Sequence, residues 1–288
     1  MIGKKCSKVT KFENDDDTVS RLGPIPPDGS TFFSGLHFIL TCTELPRSRE
    51  NRKSPPRNCS DSEQYTESST STEKEEDNML ATNPFQKERL KEQLEKAGGT
   101  VYSHFEDVPK SKYSVCRLIV PRPCLTAKYI QCLAANIRAL SHFWVIRSCL
   151  TNKLMDQNEY SLPTGWSLDK NRFIRWKVSS SERGSSTPFK DKLILLCSDN
   201  DNFTKFWERV CSLAGASTRV LTEENNLELG SGIVVVTECD CPHEVQNKAR
   251  EEGVPLVSTS WVVQCLIDGK LLGFNATPKY NFQYNDAD

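Results

Sequence analysis

The sequence predicts an α/β protein made of two copies of one unit, each a small parallel four-stranded sheet flanked by helices. Setting "IRALSHFWVIRSCLTNKLM" (137–155) over "VPLVSTSWVVQCLIDGKLL" (254–272) aligns Trp144 with Trp261, Ser141 with Ser258 and Lys153 with Lys270, a shift of 117 residues. The same shift lays "KAGGTV" (96–101) over "LAGAST" (213–218) and "RLIV" (117–120) over "VVVT" (234–237). Three separate segments in one register mark an internal repeat. Within each copy, apolar runs of strand length alternate with helical patterns, which is the signature of helices covering a parallel sheet.

Each unit begins with an apolar strand, "GLHFILT" or "KLILLCS". An amphipathic helix follows and ends in Ala-Gly-Gly or Ala-Gly-Ala, so that Gly98, Gly99 and Gly215 supply the left-handed turn that closes a helix. A second strand starts near Thr100 or Ser217. The continuous runs "CRLIV" and "GIVVVT" then read as central strands buried on both faces. A short helix, a short strand ("RALS", "PLVS") and a final helix carrying the tryptophan complete the unit. Trp144 and Trp261 read as core anchors, each worth about 3–5 kcal/mol on truncation to alanine.

The register breaks once. Thr41 answers to Ser198, a shift of 157 rather than 117, so the first unit holds an insert between its first strand and first helix. The insert, 43–83, is rich in Ser, Thr and Glu and poor in large apolar residues, the composition of a disordered surface loop. Ser54-Pro55 and the acidic serine runs within it are candidate phosphorylation sites. The predicted organisation is a disordered tail over 1–30, a first domain over 31–150, a linker over 151–187 and a second domain over 188–288. Trp166, Phe173 and Trp176 in the linker are expected to pack between the units.

Bulk properties narrow the function. Lys and Arg number 37 against 38 Asp and Glu, a net charge of −1, which argues against a sequence-specific nucleic-acid binder and leaves any anion site to local clustering. No run approaches the ~18 apolar residues of a membrane span. The N-terminus "MIGKKCSKVTKFENDDD" has no apolar signal segment, so the 12 cysteines are expected to be reduced thiols, most of them in apolar runs. Cys239-x-Cys241 precedes His243, but the spacing is not that of a closed zinc knuckle and no second pair stands at finger distance, so no metal or other cofactor is expected. Neither first strand runs into a Gly-rich phosphate loop, and the four histidines show no nucleophile-base spacing, so no enzyme is predicted.

One residue stands out against this background. Lys128 lies in the first turn of the helix that starts near Thr126, where a cation opposes the helix macrodipole at about 0.3–1 kcal/mol unless an anion sits beside it. An ordinary solvated lysine is the alternative. In the second unit the shift of 117 puts His243 at Thr126 and Val245 at Lys128.

Gly-Gly or Gly-Ala after the first helix and an aromatic W-V-x-x-[SC] in the last ("WVIRS", "WVVQC") resemble the BRCT module of DNA-damage-response proteins, over roughly residues 31–288. "GLHFILT", the acidic serine insert, "CLTAKYIQCLAANI", "SHFWVIRSC", "YSLPTGWSLD" and "TPKY" together resemble the C-terminal tandem of the p53-binding checkpoint-mediator family. The resemblance implies two BRCT units in tandem in a nuclear, non-catalytic adaptor. Its first unit would bind phosphoserine through Thr41, the backbone of Cys42, Thr126 and Lys128. The implied partner is a phosphorylated protein or histone tail at damaged chromatin. A p53-like transcription factor on the first unit and linker is the implied partner of a phosphate-independent scaffold, the competing reading. One departure matters: where the family has an arginine for the ligand's terminal carboxylate, this chain has Leu125, with Arg122 three residues earlier. Leucine makes no bidentate carboxylate contact.

Overall fold

The computed structural model describes residues 16–43, 83–176, 187–221, 232–238 and 241–284. The first sheet has the order β2-β1-β3-β4, all parallel, from β1 (His37–Leu40), β2 (Thr100–Tyr102), β3 (Cys116–Val120) and β4 (Ala139–Ser141). Its helices are α1 (Asp16–Leu22), α2 (Lys87–Lys96), α3 (Ala127–Ala134) and α4 (Phe143–Thr151). A short antiparallel hairpin of β5 (Gly165–Ser167) and β6 (Arg172–Ile174) leads to the second sheet. That sheet, in the order β10-β9-β7-β8, is built from β7 (Leu193–Cys197), β8 (Ser217–Val220), β9 (Ile233–Thr237) and β10 (Leu256–Val257), with helices α5 (Asp201–Leu213), α6 (His243–Glu251) and α7 (Thr259–Asp268). The two strand orders are the same once β1, β2, β3 and β4 are matched to β7, β8, β9 and β10. Among the described residues no helix is long and apolar enough to cross a membrane.

Strand alternation sorts the core by face. Phe38 and Leu40 of β1 pack with Leu90, Leu94 and Trp144 on the α2/α4 side, whereas Ile39 faces Tyr129, Ile130 and Leu133 of α3. The cluster around Ile39 continues through α3 into the second unit, taking in Ile194, Leu196, Val210, Cys211, Val236 and Trp261. The two sheets therefore share one apolar core, with α3 wedged against α5 and α7. Trp144 and Trp261 are fully buried, and their indole N–H groups donate to Met155 O at 2.9 Å and Leu272 O at 3.2 Å.

The repeat is visible in the backbone. Gly98 and Gly215 have φ of +87° and +95°, and the amide after each reaches back to Leu94 O and Cys211 O, closing two matching helix ends. Gly99 serves a different need. A Cβ there would lie 2.6 Å from Phe38 Cε2 and 2.9 Å from Leu94 O, so the helix end can approach β1 only without a side chain. The last strand of each sheet is covered on its open edge by the chain that follows, at Ser161 beside Leu140 and at Asn281 beside Val257.

The tail predicted to be disordered over 1–30 is ordered from Asp16. The α1 helix and the turn after it lie across α2, because Arg89, almost fully buried, donates to Gly23 O at 2.6 Å and Gln93 Nε2 donates to Leu22 O at 2.8 Å and Pro24 O at 3.0 Å. Carbonyls that a polar tail would leave to water are here satisfied by side chains from the helix. Residues 1–15, the body of the 43–83 insert and residues 177–186 lie outside the described residues, with the expectations made for them.

The linker meets expectation at Trp176, which packs against the cluster shared by both units, and departs from it at Phe173. Trp166 and Phe173 meet edge to face at 5.1 Å, but Phe173 remains 49% exposed. Polar bonds fix the orientation expected of these aromatics. Gln264 Nε2 donates to Trp166 O at 3.0 Å and its Oε1 accepts from Leu168 N at 2.9 Å; Thr164 Oγ1 donates to Ile267 O at 2.8 Å. Lys170 reaches the fully buried carboxylate of Asp268 at 3.0 Å. Between the units Arg209 pairs with Glu106, which also accepts from Gln131 Nε2 at 2.8 Å. Burial pushes the Glu106 carboxyl up, but its backbone bond, Gln131 and Arg209 outweigh that and hold it below the ordinary value.

Candidate functional site

In the first sheet the chain leaves β1 toward β2 through α2 and leaves β3 toward β4 through α3. With right-handed crossovers, helices leaving in opposite directions lie on opposite faces, and a crevice opens between the carboxyl ends of β1 and β3. Such a switch point is where open parallel sheets bind ligands, because helix N-termini and loops converge there.

Thr41 occupies the exit of β1 and Thr126 the N-cap of α3. Their hydroxyl oxygens stand 3.1 Å apart, Thr41 nearly buried and Thr126 half-buried. Thr41 N continues the ladder by donating to Ile119 O at 3.2 Å, which fixes its side chain over the crevice. Thr126 Oγ1 accepts from Tyr129 N at 3.4 Å and lies 3.7 Å from Cys124 Sγ. Cys42 is half-buried, close enough to Cys124 to help raise that thiol's pKa, which burial raises first. Leu125 is 44% exposed on the rim, and Arg122 is exposed on the same loop.

Lys128 is half-buried at the second position of α3. Burial pulls its pKa below that of an ordinary lysine, and the charge of Lys87 pulls the same way. Among the described residues no carboxylate lies within ion-pair distance of it. Sequence reasoning misses Lys87, although it carries the same signal, a lysine in the first turn of a helix. Its helix is pinned to the strand ends from the other side: His142 N donates to Val120 O at 3.1 Å and His142 Nε2 donates to Asn83 O at 2.9 Å. The crevice thus gathers two hydroxyls, the amides of α3's first turn and the Lys128 ammonium, with the charge of Lys87 near enough to act on that lysine, a donor set for a compact polyanion.

The matching crevice of the second unit is already filled. Ser198, after β7, donates its hydroxyl to the carboxylate of Glu238, after β9, in a very short bond, and accepts from Asn200 N at 3.0 Å. Asn200 caps α5, and the cap of α6 is Pro242. Counted from that cap, the position of Lys128 is taken by Glu244; Val245, which the constant shift matches to it, is packed against the small core on the far side of the sheet. The reason is that α6 starts one residue earlier than the shift of 117 implies. Cys239 lies outside the described residues; among those described no group of three His, Cys, Asp or Glu side chains is placed to hold a metal.

Residues 187–285 match the family model of the BRCA1 C Terminus (BRCT) domain. The second unit contains a BRCT domain. Among solved structures, the chain is similar to the complex of yeast Rtt107p and a phosphorylated histone, at 12% identity over 91% of this chain and 96% of that one, with a TM-score of 0.49. It is also similar to the BRCT5-BRCT6 domains of S. pombe Brc1, at 12% identity over 82% and 94% with a TM-score of 0.44. Rad4 BRCT1,2 in complex with a Crb2 phosphopeptide matches at 12% identity over 85% and 97% with a TM-score of 0.27.

Proposed function

We propose that this protein is a non-catalytic adaptor of the DNA damage response that binds a phosphoserine peptide in the switch-point crevice of its first unit, a second copy of the BRCT fold. The observation that carries the reading is Lys128, held without a carboxylate partner among the described residues beside the Thr41 and Thr126 hydroxyls at a helix N-terminus. A phosphoserine brings a charge of about −1.5 to −2 and three acceptor oxygens, which answers two hydroxyl donors, the amides of α3 and the Lys128 ammonium, with the charge of Lys87 near it. The chain has no arginine at position 125, so the ligand is an internal phosphopeptide rather than one held by its terminal carboxylate. A damage-phosphorylated histone or chromatin protein in the nucleus fits this chemistry. The domain division runs with it, the first unit beginning at Asp16 rather than 31 and the second spanning the BRCT match.

The reading is tested by titrating phosphoserine peptides, with free and amidated C-termini, against wild type and Lys128→Met. Phosphate-dependent binding by wild type alone, indifferent to the C-terminus, is the expected result. Equal binding by both proteins, or none by either, leaves the phosphate-independent scaffold. That second reading has an observation of its own, the exposed Phe173 edge of the linker hairpin, on which a p53-like partner would dock.

A further inference from the structure

The loop after the tryptophan helix is built alike in both units but lies beside different residues. In each it leaves a left-handed cap, Asn152 with φ +48° or Gly269 with φ +64°, and the carbonyl of Met155 or Leu272 accepts the buried indole N–H. The amides of the same two residues donate to Ser148 Oγ at 3.2 Å and Cys265 Sγ at 3.4 Å. In the second unit Phe274 then packs on Trp261, ring centroids 5.2 Å apart, and Val234 and Pro255 stand near the starts of β9 and β10. The shift of 117 puts Gln157, Arg117 and Arg138 at those three positions in the first unit. Arg117 Nε donates to Gln157 Oε1 at 2.6 Å, and Arg138 donates from Nε to Ser161 Oγ at 2.8 Å and from Nη1 to Asn158 Oδ1 at 3.0 Å. Beside these polar side chains an open cavity of about 590 Å³ lies at the amino end of β4, the opposite end of the strands from the switch-point crevice.

We propose that this cavity is a second binding site, for an unphosphorylated acidic peptide segment of a protein partner, whose carboxylate is held by Arg138 and Lys153 while an apolar side chain beside it lies on Leu154 and Met155. The site is peculiar to the first unit. Lys153 and Leu154 have counterparts in Lys270 and Leu271, but the guanidinium of Arg138 answers to Pro255.

Arg138 is the anchor. It is half-buried, and neutral oxygens, those of Ser161 and Asn158, fix its planar fork in place. Among the described residues neither Arg138 nor Lys153 has a carboxylate within ion-pair distance. Burial lowers the Arg138 pKa, so a carboxylate supplied by a ligand offsets a charge that the site has partly desolvated. Asp156 lines the same cavity and acts on Arg138 from a distance, but its carboxylate accepts from Asn158 N at 3.0 Å. Two cations set against one anion suit a single carboxylate better than a phosphate dianion or the phosphate chain of a nucleic acid, which Asp156 repels. Leu154, 39% exposed, gives the apolar neighbour of that carboxylate a surface to cover.

The experiment titrates the full chain with two labelled peptides, one alternating glutamate with leucine and one alternating glutamine with leucine. Binding is followed by fluorescence anisotropy and by the methyl resonance of Met155, one of only three methionines. The glutamate peptide is expected to bind and to move the Met155 methyl. It should bind about 10-fold more weakly to Arg138→Gln and to Lys153→Gln, more tightly to Asp156→Asn, and unchanged to Lys128→Met. Equal binding of the glutamine peptide, no binding of either, affinity unmoved in Lys153→Gln and Asp156→Asn, a loss in Lys128→Met, or a Met155 shift produced by duplex DNA and not by the peptide would overturn the proposal. Lys153 and Asp156 are exposed, so their variants decide the matter even where Arg138→Gln fails to fold.

Discussion

The two switch-point crevices are built by the same strand order and differ in the sign of what they hold. In the first, the leading positions of the two helices are Lys87 on α2 and Lys128 on α3, with Thr41 and Thr126 between them. In the second, the same positions carry Asp201 on α5 and Glu244 on α6, and the hydroxyl of Ser198 is already bonded to Glu238. Negative side chains in a helix's first turn are favoured by the macrodipole, so the second arrangement is stable by itself. The first is electrostatically incomplete. The second unit supplies an anion from within the chain, and the proposed function has the first take one from a ligand.

Removing the cation should break this difference most sharply. Lys128→Met is expected to weaken phosphopeptide binding about 10- to 100-fold, from about 1.5–3 kcal/mol for a charged hydrogen bond, measured by calorimetry or fluorescence anisotropy. Glu244→Lys with Glu238→Gln is the converse test. In a Lys128→Met background it should restore weak binding, now through the second unit, read by the shift of second-unit resonances.

The hydroxyls come next. Thr126→Ala removes both a ligand donor and the cap of α3, and is expected to cost about 1 kcal/mol of stability together with a several-fold loss of affinity. Thr41→Ala leaves the helix capped and should lose affinity with little change in the unfolding midpoint. If both variants lose stability equally, the hydroxyl pair is structural.

Acidification acts on both the ligand and the contact that sets the units against each other. The second proton of a phosphoserine is taken up near about pH 6, so binding should fall below that pH as the dianion is lost. Glu106 titrates lower in the folded protein than its ordinary 4.5, so its contribution to stability is present above that value and lost as pH falls through its depressed pKa. Chemical unfolding followed from neutral pH down through the carboxylate range should show this loss, and it should be absent in Glu106→Gln.

The smallest expected effect is at the rim. Leu125→Arg should raise the preference for a free over an amidated peptide C-terminus by a few fold, because the guanidinium supplies the bidentate partner that leucine lacks.

Much of this architecture is legible in the sequence because the repeat is. Gly98 and Gly215, the central runs around Leu118 and Val235, and the buried Trp144 and Trp261 are fixed by local demands of backbone conformation and burial, and such demands leave a periodic trace. Lys128 is visible for a related reason, as a cation placed against a helix dipole. What the pattern does not carry is pairing between distant polar groups. Arg89 looks like an ordinary helix charge until Gly23 O is seen against it, and Glu238 looks like a loop acid until Ser198 is found bonded to it. The one-residue difference between the starts of α3 and α6 belongs to the same class, since it is set by where Thr126 and Pro242 stop the preceding loop.

The most direct test of the central claim is the stoichiometry of a calorimetric titration of the full chain with a phosphoserine peptide. One peptide per chain, lost in Lys128→Met and unchanged by Glu238→Gln alone, is the predicted result. Two peptides per chain, or full binding after Lys128 is replaced, would contradict the assignment of a single open crevice to the first unit.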